Sequence, residues 1–231
     1  MATVILLRHA RSSANGSGVL AGRTARVGLD PAGVEQAAAV VARLAGVELA
    51  AVVRSPLLRC GQTVAPLLAE RGISAVRDVR LSEVDYGEWT GRELKSLSKE
   101  PLWRVVQAHP SAAVFPGGEG LAAVQARAVA AIRAHDEQVT SEHGAEAVWL
   151  ACSHGDVIKS VLADALGTHL DSFQRITVDP CSVSVVRYTQ TRPFVLRMNE
   201  HGGDLAGIVP PKSKRRRKAA SDAVPGGTTG R

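Results

Sequence analysis

The sequence predicts a doubly wound α/β domain, a mostly parallel sheet with helices on both faces. Three observations carry this. The aliphatic runs in "TVILLR" (3–8), "LAAVVRS" (49–55) and "EAVWLACS" (146–153) lack polar alternation, as strands covered on both sides do. Two of them are followed by stretches framed by helix start and stop residues, and the third turns directly into an apolar helical pattern. Strand and helix patterns therefore alternate along the chain, with no internal repeat, which is the signature of a wound parallel sheet.

Taken in order, the first strand ends at Arg8-His9 and a Gly/Ser-rich loop occupies 15–30. In "DPAGVEQAAAVVARLAG", Asp30 caps a helix with Pro31 at its first position and Gly46 past its end. After the second strand, Ser55 and Pro56 are expected to open a helix that Gly72 closes. A short third strand and a polar loop share 74–89, and 92–109 holds one or two short helices. Residues 110–118 read as loop and 119–142 as a long amphipathic helix. The strand ending at Ser153 turns into the helix "VIKSVLADALG", and Val-rich segments 182–189 and 193–199 form a hairpin.

Composition bounds the class. Hydrophobic residues make up 45% and charged residues 22% of 231, as in soluble globular proteins. No apolar stretch reaches the roughly 20 residues that span a bilayer, and the N-terminus starts directly as a strand rather than as a signal peptide. Cys60, Cys152 and Cys181 have neither zinc-ribbon nor disulfide-framework spacing, so a cytoplasmic location is expected. Of 28 Lys/Arg and 22 Asp/Glu, seven basic residues and one acid fall within 210–231, so the remaining 21 of each sign cancel over 1–209. Residues 1–209 are thus expected to form one domain. Residues 210–231, with "KSKRRRK" among Pro and Gly, are expected to be a disordered basic tail. A neutral body argues against specific nucleic-acid binding.

Four polar signals fall at matching places. Arg8-His9 follows the first strand, Arg59 lies in the helix after the second, Glu83 in the loop after the third, and His154 after the strand at 148–153. In open α/β sheets ligands collect at the carboxyl ends of strands, and parallel strands would bring all four there. Arginine forks suit a phosphate dianion, and Gly155 and Asp156 open a helix whose free N–H groups and dipole favour an anion. A neutral imidazole is a competent nucleophile near pH 7, and a carboxyl group can protonate a leaving alkoxide. These are the parts of a phosphoryl transfer without a metal. The other histidines lack metal-ligand spacing, so neither metal nor cofactor is expected. Neither Cys60 nor Cys152 has the arginine six positions on that a tyrosine-phosphatase loop needs. The glycines at 16, 18 and 22 precede no Gly-Lys-Ser/Thr, which excludes a Walker loop.

Four stretches carry a family resemblance over residues 3 to about 200. "LLRHARSSAN" resembles the Arg-His-Gly motif of the histidine phosphatase superfamily, with its phosphoglycerate mutase-like fold. "SPLLRCGQTV" is similar to the family's second-arginine motif, "LSEVDYGEWTG" to its acid loop and "SHGDVIKSVL" to its second-histidine motif. "VLAGRTARVGLDPAGVEQA" is similar to a subgroup labelled probable phosphomutases. The resemblance implies that His9 becomes the phosphohistidine and that Arg8, Arg59 and His154 clamp the phosphoryl oxygens. It further implies that Glu83 is acid and then base, and that Ser12, Asn15 and Gly155 join the phosphate pocket. Two departures stand out: Ala10 replaces the usual glycine, and Arg11 adds a cation that either meets substrate or faces solvent.

The reading is a phosphatase acting on a small phosphorylated metabolite, as a monomer or homodimer. A phosphomutase is the alternative, and an inactive binding or regulatory module on the same fold is a second. The segment 92–120 has few cations to hold a glycerate carboxylate, which favours hydrolysis. Residues 100–120 are expected to form the pocket lid, with Trp103, His109 and Phe115 against the organic half of the substrate.

Overall fold

The computed structural model describes residues 1–202 and 225–226. Its strands are β1 (Thr3–Arg8), β2 (Ala51–Arg54), β3 (Val76–Arg77), β4 (Val148–Ser153), β5 (Val183–Arg187) and β6 (Phe194–Glu200). Its helices are α1 (Ser13–Ser17), α2 (Pro31–Arg43), α3 (Leu58–Arg71), α4 (Leu94–Leu97), α5 (Pro101–Ala108), α6 (Leu121–His143) and α7 (Gly155–Ala165). The six strands form one sheet in the order β3-β2-β4-β1-β5-β6. β3, β2, β4 and β1 run parallel, and β5 and β6 are antiparallel additions. The sheet is mostly parallel, as expected.

Successive residues of the central strands serve opposite cores, because side chains alternate across a sheet. Val4 and Leu6 of β1, with Trp149 and Ala151 of β4, join Val124, Ala128 and Ile132 of α6 and Val157 and Val161 of α7. Ile5 and Leu7, with Leu150 and Cys152, join Ala37 and Val40 of α2 and Val64 and Leu67 of α3. Covered faces explain why these strands show no polar alternation. Asp30 caps α2 as expected, accepting from the Gly33 N–H at 2.8 Å.

Register fixes the level of the strand ends. Arg8 lies opposite Ser153, and Arg54 lies opposite Cys152. The residues that follow, His9, Ser55 and His154, therefore emerge close together at one sheet edge.

Three details differ from expectation, and a fourth, the short third strand, is as expected. The helix after β2 starts at Leu58, with no side chain capping its first turn. The Ser55 hydroxyl lies 2.8 Å from His154 Nε2 and receives the Leu57 N–H at 3.3 Å, so Ser55 and Pro56 precede the helix. The third strand has only two residues, both exposed at the sheet edge. Within the stretch around 15–30 expected to be loop, Ser12 and Asn15 cap each other across the first turn of α1. Lastly, 100–120 is not a lid: Trp103 and Phe115 are core residues, ringed with Trp89 at centroid distances of 6.1 and 5.2 Å, while His109 points to solvent. Amphipathic α5 turns Trp103 and Val106 inward, so this segment supports the core. Of the expected tail, all but Pro225 and Gly226 lies outside the described residues.

Candidate active site

The sheet edge gathers the predicted side chains. His9 leaves β1 with its main chain tied to both neighbours: its N–H donates to the Ser153 carbonyl at 2.9 Å, and its carbonyl receives the Cys181 N–H at 3.1 Å. Its ring lies 5.2 Å from that of His154, centroid to centroid. Nδ1 of His9 is 2.8 Å from the Ala10 carbonyl oxygen. A carbonyl only accepts, so Nδ1 carries the proton and Nε2 keeps its lone pair. Burial, then the charges of Arg59 and Arg8, push the His9 pKa well below its ordinary value, so the ring is neutral near pH 7.

His154 is held the same way from two sides. Arg59 Nη2 donates to His154 Nδ1 at 3.1 Å, which leaves Nε2–H to donate to Ser55 Oγ at 2.8 Å. Burial, followed by Arg59 and His9, lowers its pKa well below the ordinary value. His154 precedes Gly155, the first residue of α7, so the positive end of that helix dipole faces the same edge.

The two arginines are buried cations with donors to spare. Arg59, the second residue of α3, donates to the Gly22 carbonyl at 2.8 Å. Arg8 donates to the carbonyls of Val178 at 2.7 Å and Gly226 at 3.0 Å. Nε and Nη1 of Arg59 and Nε of Arg8 have no hydrogen-bond partner among the described residues. Burial lowers the Arg8 pKa to about 10, which leaves it charged at neutral pH. An unsatisfied buried donor costs roughly 1–3 kcal/mol, so an anion bound here would recover free energy already spent in folding.

Glu83 stands across from these cations, with Oε2 3.9 Å from His154 Nδ1. Its Oε1 accepts the Val84 N–H at 3.0 Å. Burial, then the nearby charge of Asp156, raises its pKa to about 7. At neutral pH the group is poised between acid and base, the condition for proton transfer in both directions.

Ser12 and Asn15 line the cavity together with His9, Arg59 and Glu83. The Ser12 N–H donates to Asn15 Oδ1 at 3.0 Å, so the Asn15 amide nitrogen is the donor left for the cavity side. Arg11 takes no part in the cavity, since its Nε pairs with Asp30 at 3.2 Å.

Sequence reasoning missed three contributors. Ser55, taken as a helix cap, orients His154. Tyr86 lines the cavity and donates to Asp156 Oδ2 at 2.8 Å. Asp156, taken only as a helix-start residue, is fully buried beside Lys159 at 3.7 Å and helps raise the Glu83 pKa. The signal for Asp156 lies in its place directly after His154-Gly155, and that for Ser55 in its place at the end of the second apolar run; Tyr86 carries none.

The fold and site define a phosphoryl-transfer protein of the histidine type. The profile of the histidine phosphatase superfamily (branch 1) matches residues 4–201, and the chain belongs to that superfamily. Among curated proteins it is 29% identical over 206 residues to phosphoserine phosphatase 1 of Hydrogenobacter thermophilus, covering 86% of this chain and 92% of that one. It is 28% identical over 215 residues to the probable phosphoglycerate mutase GpmB of Yersinia pestis, covering 91% and 97%. The crystal structure of a putative alpha-ribazole-5'-P phosphatase from Escherichia coli superposes with a TM-score of 0.74 at 25% identity, over 86% of this chain and 96% of that one.

Proposed function

We propose that the protein is a metal-independent phosphatase of small phosphomonoesters, working through a phosphohistidine on His9. One observation carries the reading: a neutral imidazole with a free Nε2 lines the same cavity as a carboxyl group with a pKa of about 7, and the charges of two buried guanidinium groups, Arg8 and Arg59, act on both. His9 Nε2 attacks phosphorus and the P–O bond to the alcohol breaks. Arg8, Arg59 and the N-terminus of α7 at Gly155 hold the phosphoryl oxygens, with Ser12 and Asn15 at the rim. His154, whose Nδ1 accepts from Arg59 and whose Nε2–H donates to Ser55, fixes Arg59 beside them and donates to phosphate only once Arg59 turns away and Nδ1 takes up a proton. Protonated Glu83 gives its proton to the departing alkoxide. The resulting carboxylate then takes a proton from water, which attacks the phosphohistidine and returns inorganic phosphate and free His9.

The arginines supply the positive charge that a metal supplies elsewhere, so no cofactor enters the scheme. Phosphatase-named relatives support hydrolysis. A GpmB-named relative supports a second reading, return of the phosphoryl group to another hydroxyl. The convergence of five charged or titratable groups argues against an inactive module. In this reading 1–209 is the catalytic domain and acts as a monomer or homodimer. Three unbridged cysteines support a cytoplasmic setting, and no helix among the described residues is long and apolar enough to cross a membrane. The neutral charge of 1–209 supports a small-molecule substrate over nucleic acid.

The test is release of inorganic phosphate from phosphoserine, 3-phosphoglycerate and p-nitrophenyl phosphate in the presence of a chelator. Release on at least one, lost in His9→Ala by orders of magnitude, is expected. Retained activity in that variant would refute the assignment. Transfer of label to monophosphoglycerate without phosphate release would favour the mutase.

A further inference from the structure

Two residues from far along the chain close the cavity over His9. Pro225 and Gly226 line it opposite His9, Arg59, Glu83 and Tyr86. The contact is polar and two-sided. Arg8 Nη2 donates to the Gly226 carbonyl at 3.0 Å, and the Gly226 N–H donates to Asp156 Oδ2 at 2.8 Å. One residue thus bridges a buried cation and a buried anion, giving an acceptor to the first and a donor to the second. Gly226 has a φ of +80°, a conformation glycine takes without penalty and a β-branched residue does not. Its backbone rests against the cavity wall, since a Cβ built on it would lie 3.5 Å from Leu20 and 3.6 Å from the Tyr86 hydroxyl.

Gly226 and a phosphoryl group would compete for the same donor, Arg8 Nη2. The cavity that remains beside Gly226 is about 30 Å³. Arg8 is fully buried and does not line what is left. Its Nη2 cannot serve the Gly226 carbonyl and a phosphoryl oxygen in the same place.

We propose that Pro225–Gly226 is an intramolecular ligand of the pocket, an autoinhibitory strap that competes with phosphate for Arg8 and shields the cavity over His9. The proposal rests on the reading of Arg8 as a phosphate clamp. Substrate binds only the open fraction of molecules, and its apparent affinity falls in proportion to that fraction. A strap closed nine-tenths of the time weakens phosphate binding about tenfold.

The experiment compares the full-length protein with full-length Gly226→Val, which cannot keep φ at +80° without strain. Affinity for inorganic phosphate is measured by titration calorimetry, which needs no turnover. KM and kcat are then measured on p-nitrophenyl phosphate, with melting temperatures to show that both chains fold. Gly226→Val should bind phosphate at least about threefold more tightly, the change for a strap closed two-thirds of the time, with KM falling in parallel. A synthetic peptide of residues 223–231 added to the variant should compete with phosphate and weaken its binding again. Equal phosphate affinity in the two proteins would overturn the strap. Failure of both to bind phosphate would overturn the clamp on which it rests. If the affinity difference appears while no phosphomonoester is turned over, the strap stands and the hydrolase reading fails.

Discussion

The floor of the site and its wall are built by different means. His9, Ser55 and His154 stand directly on the ends of β1, β2 and β4, and Arg59 lies in the first turn of the helix that follows β2. Their level is set by the main-chain ladder, in which Arg8 faces Ser153 and Arg54 faces Cys152. Glu83 has no such foundation. It sits in the loop after the two-residue edge strand β3, and its carbonyl oxygen accepts from Arg23 Nε at 2.9 Å and Arg127 Nη2 at 3.2 Å. Both arginines also pair with Glu119, at 2.8 and 2.9 Å. The acid is therefore hung on side-chain tethers, while nucleophile and clamp rest on backbone. Behind it, Gly87 and Gly118 permit close passage of two chains, since a Cβ on Gly118 would fall 2.3 Å from the Asp85 carbonyl oxygen.

Breaking the floor should cost most. Arg59→Ala removes a buried cation, the donor to His154 Nδ1 and the bond to Gly22 together. Loss of one preorganised donor to a developing charge commonly costs about 10²–10³ in kcat, and that range is expected here for alkyl and aryl phosphates alike. Steady-state kinetics on both substrates check it. A loss confined to alkyl substrates would move Arg59 out of the clamp.

Breaking the wall should discriminate between substrates. Glu83→Gln cannot protonate the leaving group, so an alkyl phosphate should lose about 10²–10⁴ in rate. p-Nitrophenyl phosphate, whose phenolate departs unaided, should lose much less. In the parent, alkyl-phosphate cleavage should decline as pH rises through about 7, because Glu83 acts in its protonated form. Stability follows the same sign. A carboxyl group whose pKa is raised on folding from 4.5 to about 7 favours the folded state below 4.5, and this contribution is lost as pH rises to about 7. At pH 8 the Gln variant should therefore melt no lower than the parent. A lower melting point would show that ionised Glu83 is stabilised by groups other than those described.

Loosening a tether should cost least. Glu119→Gln weakens two partly exposed ion pairs, each worth up to about 1 kcal/mol, and leaves every group that lines the cavity in place. An alkyl-phosphate kcat reduced about fivefold, with KM nearly unchanged, is expected. The same variant should behave almost as the parent on p-nitrophenyl phosphate. Equal losses on both substrates would show that Glu119 supports the floor as well.

The same division explains what was legible in the sequence. Residues on strand ends announce themselves, because an apolar run marks the strand and the polar residue that ends it marks the edge. Arg8, His9 and His154 were placed this way, and the parallel sheet followed from the same runs. Ser55 was misread because a serine before proline satisfies the rule for a helix cap, whereas its hydroxyl is used by His154. Trp103 and Phe115 were misplaced for a related reason. Aromatic residues near a glycine-rich loop suit a lid as well as a core, and only the facing Trp89 and Tyr86 decide between them. Glu119 and Arg127 gave no local sign, since their roles exist only across the long separation between the acid loop and α6. Gly226 lay inside a segment whose composition reads as tail.

The covalent step is the most direct point of attack. The protein is mixed with a radiolabelled phosphoryl donor, quenched in alkali within the turnover time, digested and mapped. The account predicts one labelled peptide, spanning His9, whose label survives alkali and is released by acid, and no label in His9→Ala. Undiminished turnover in His9→Ala, or label on a residue other than His9, would contradict it.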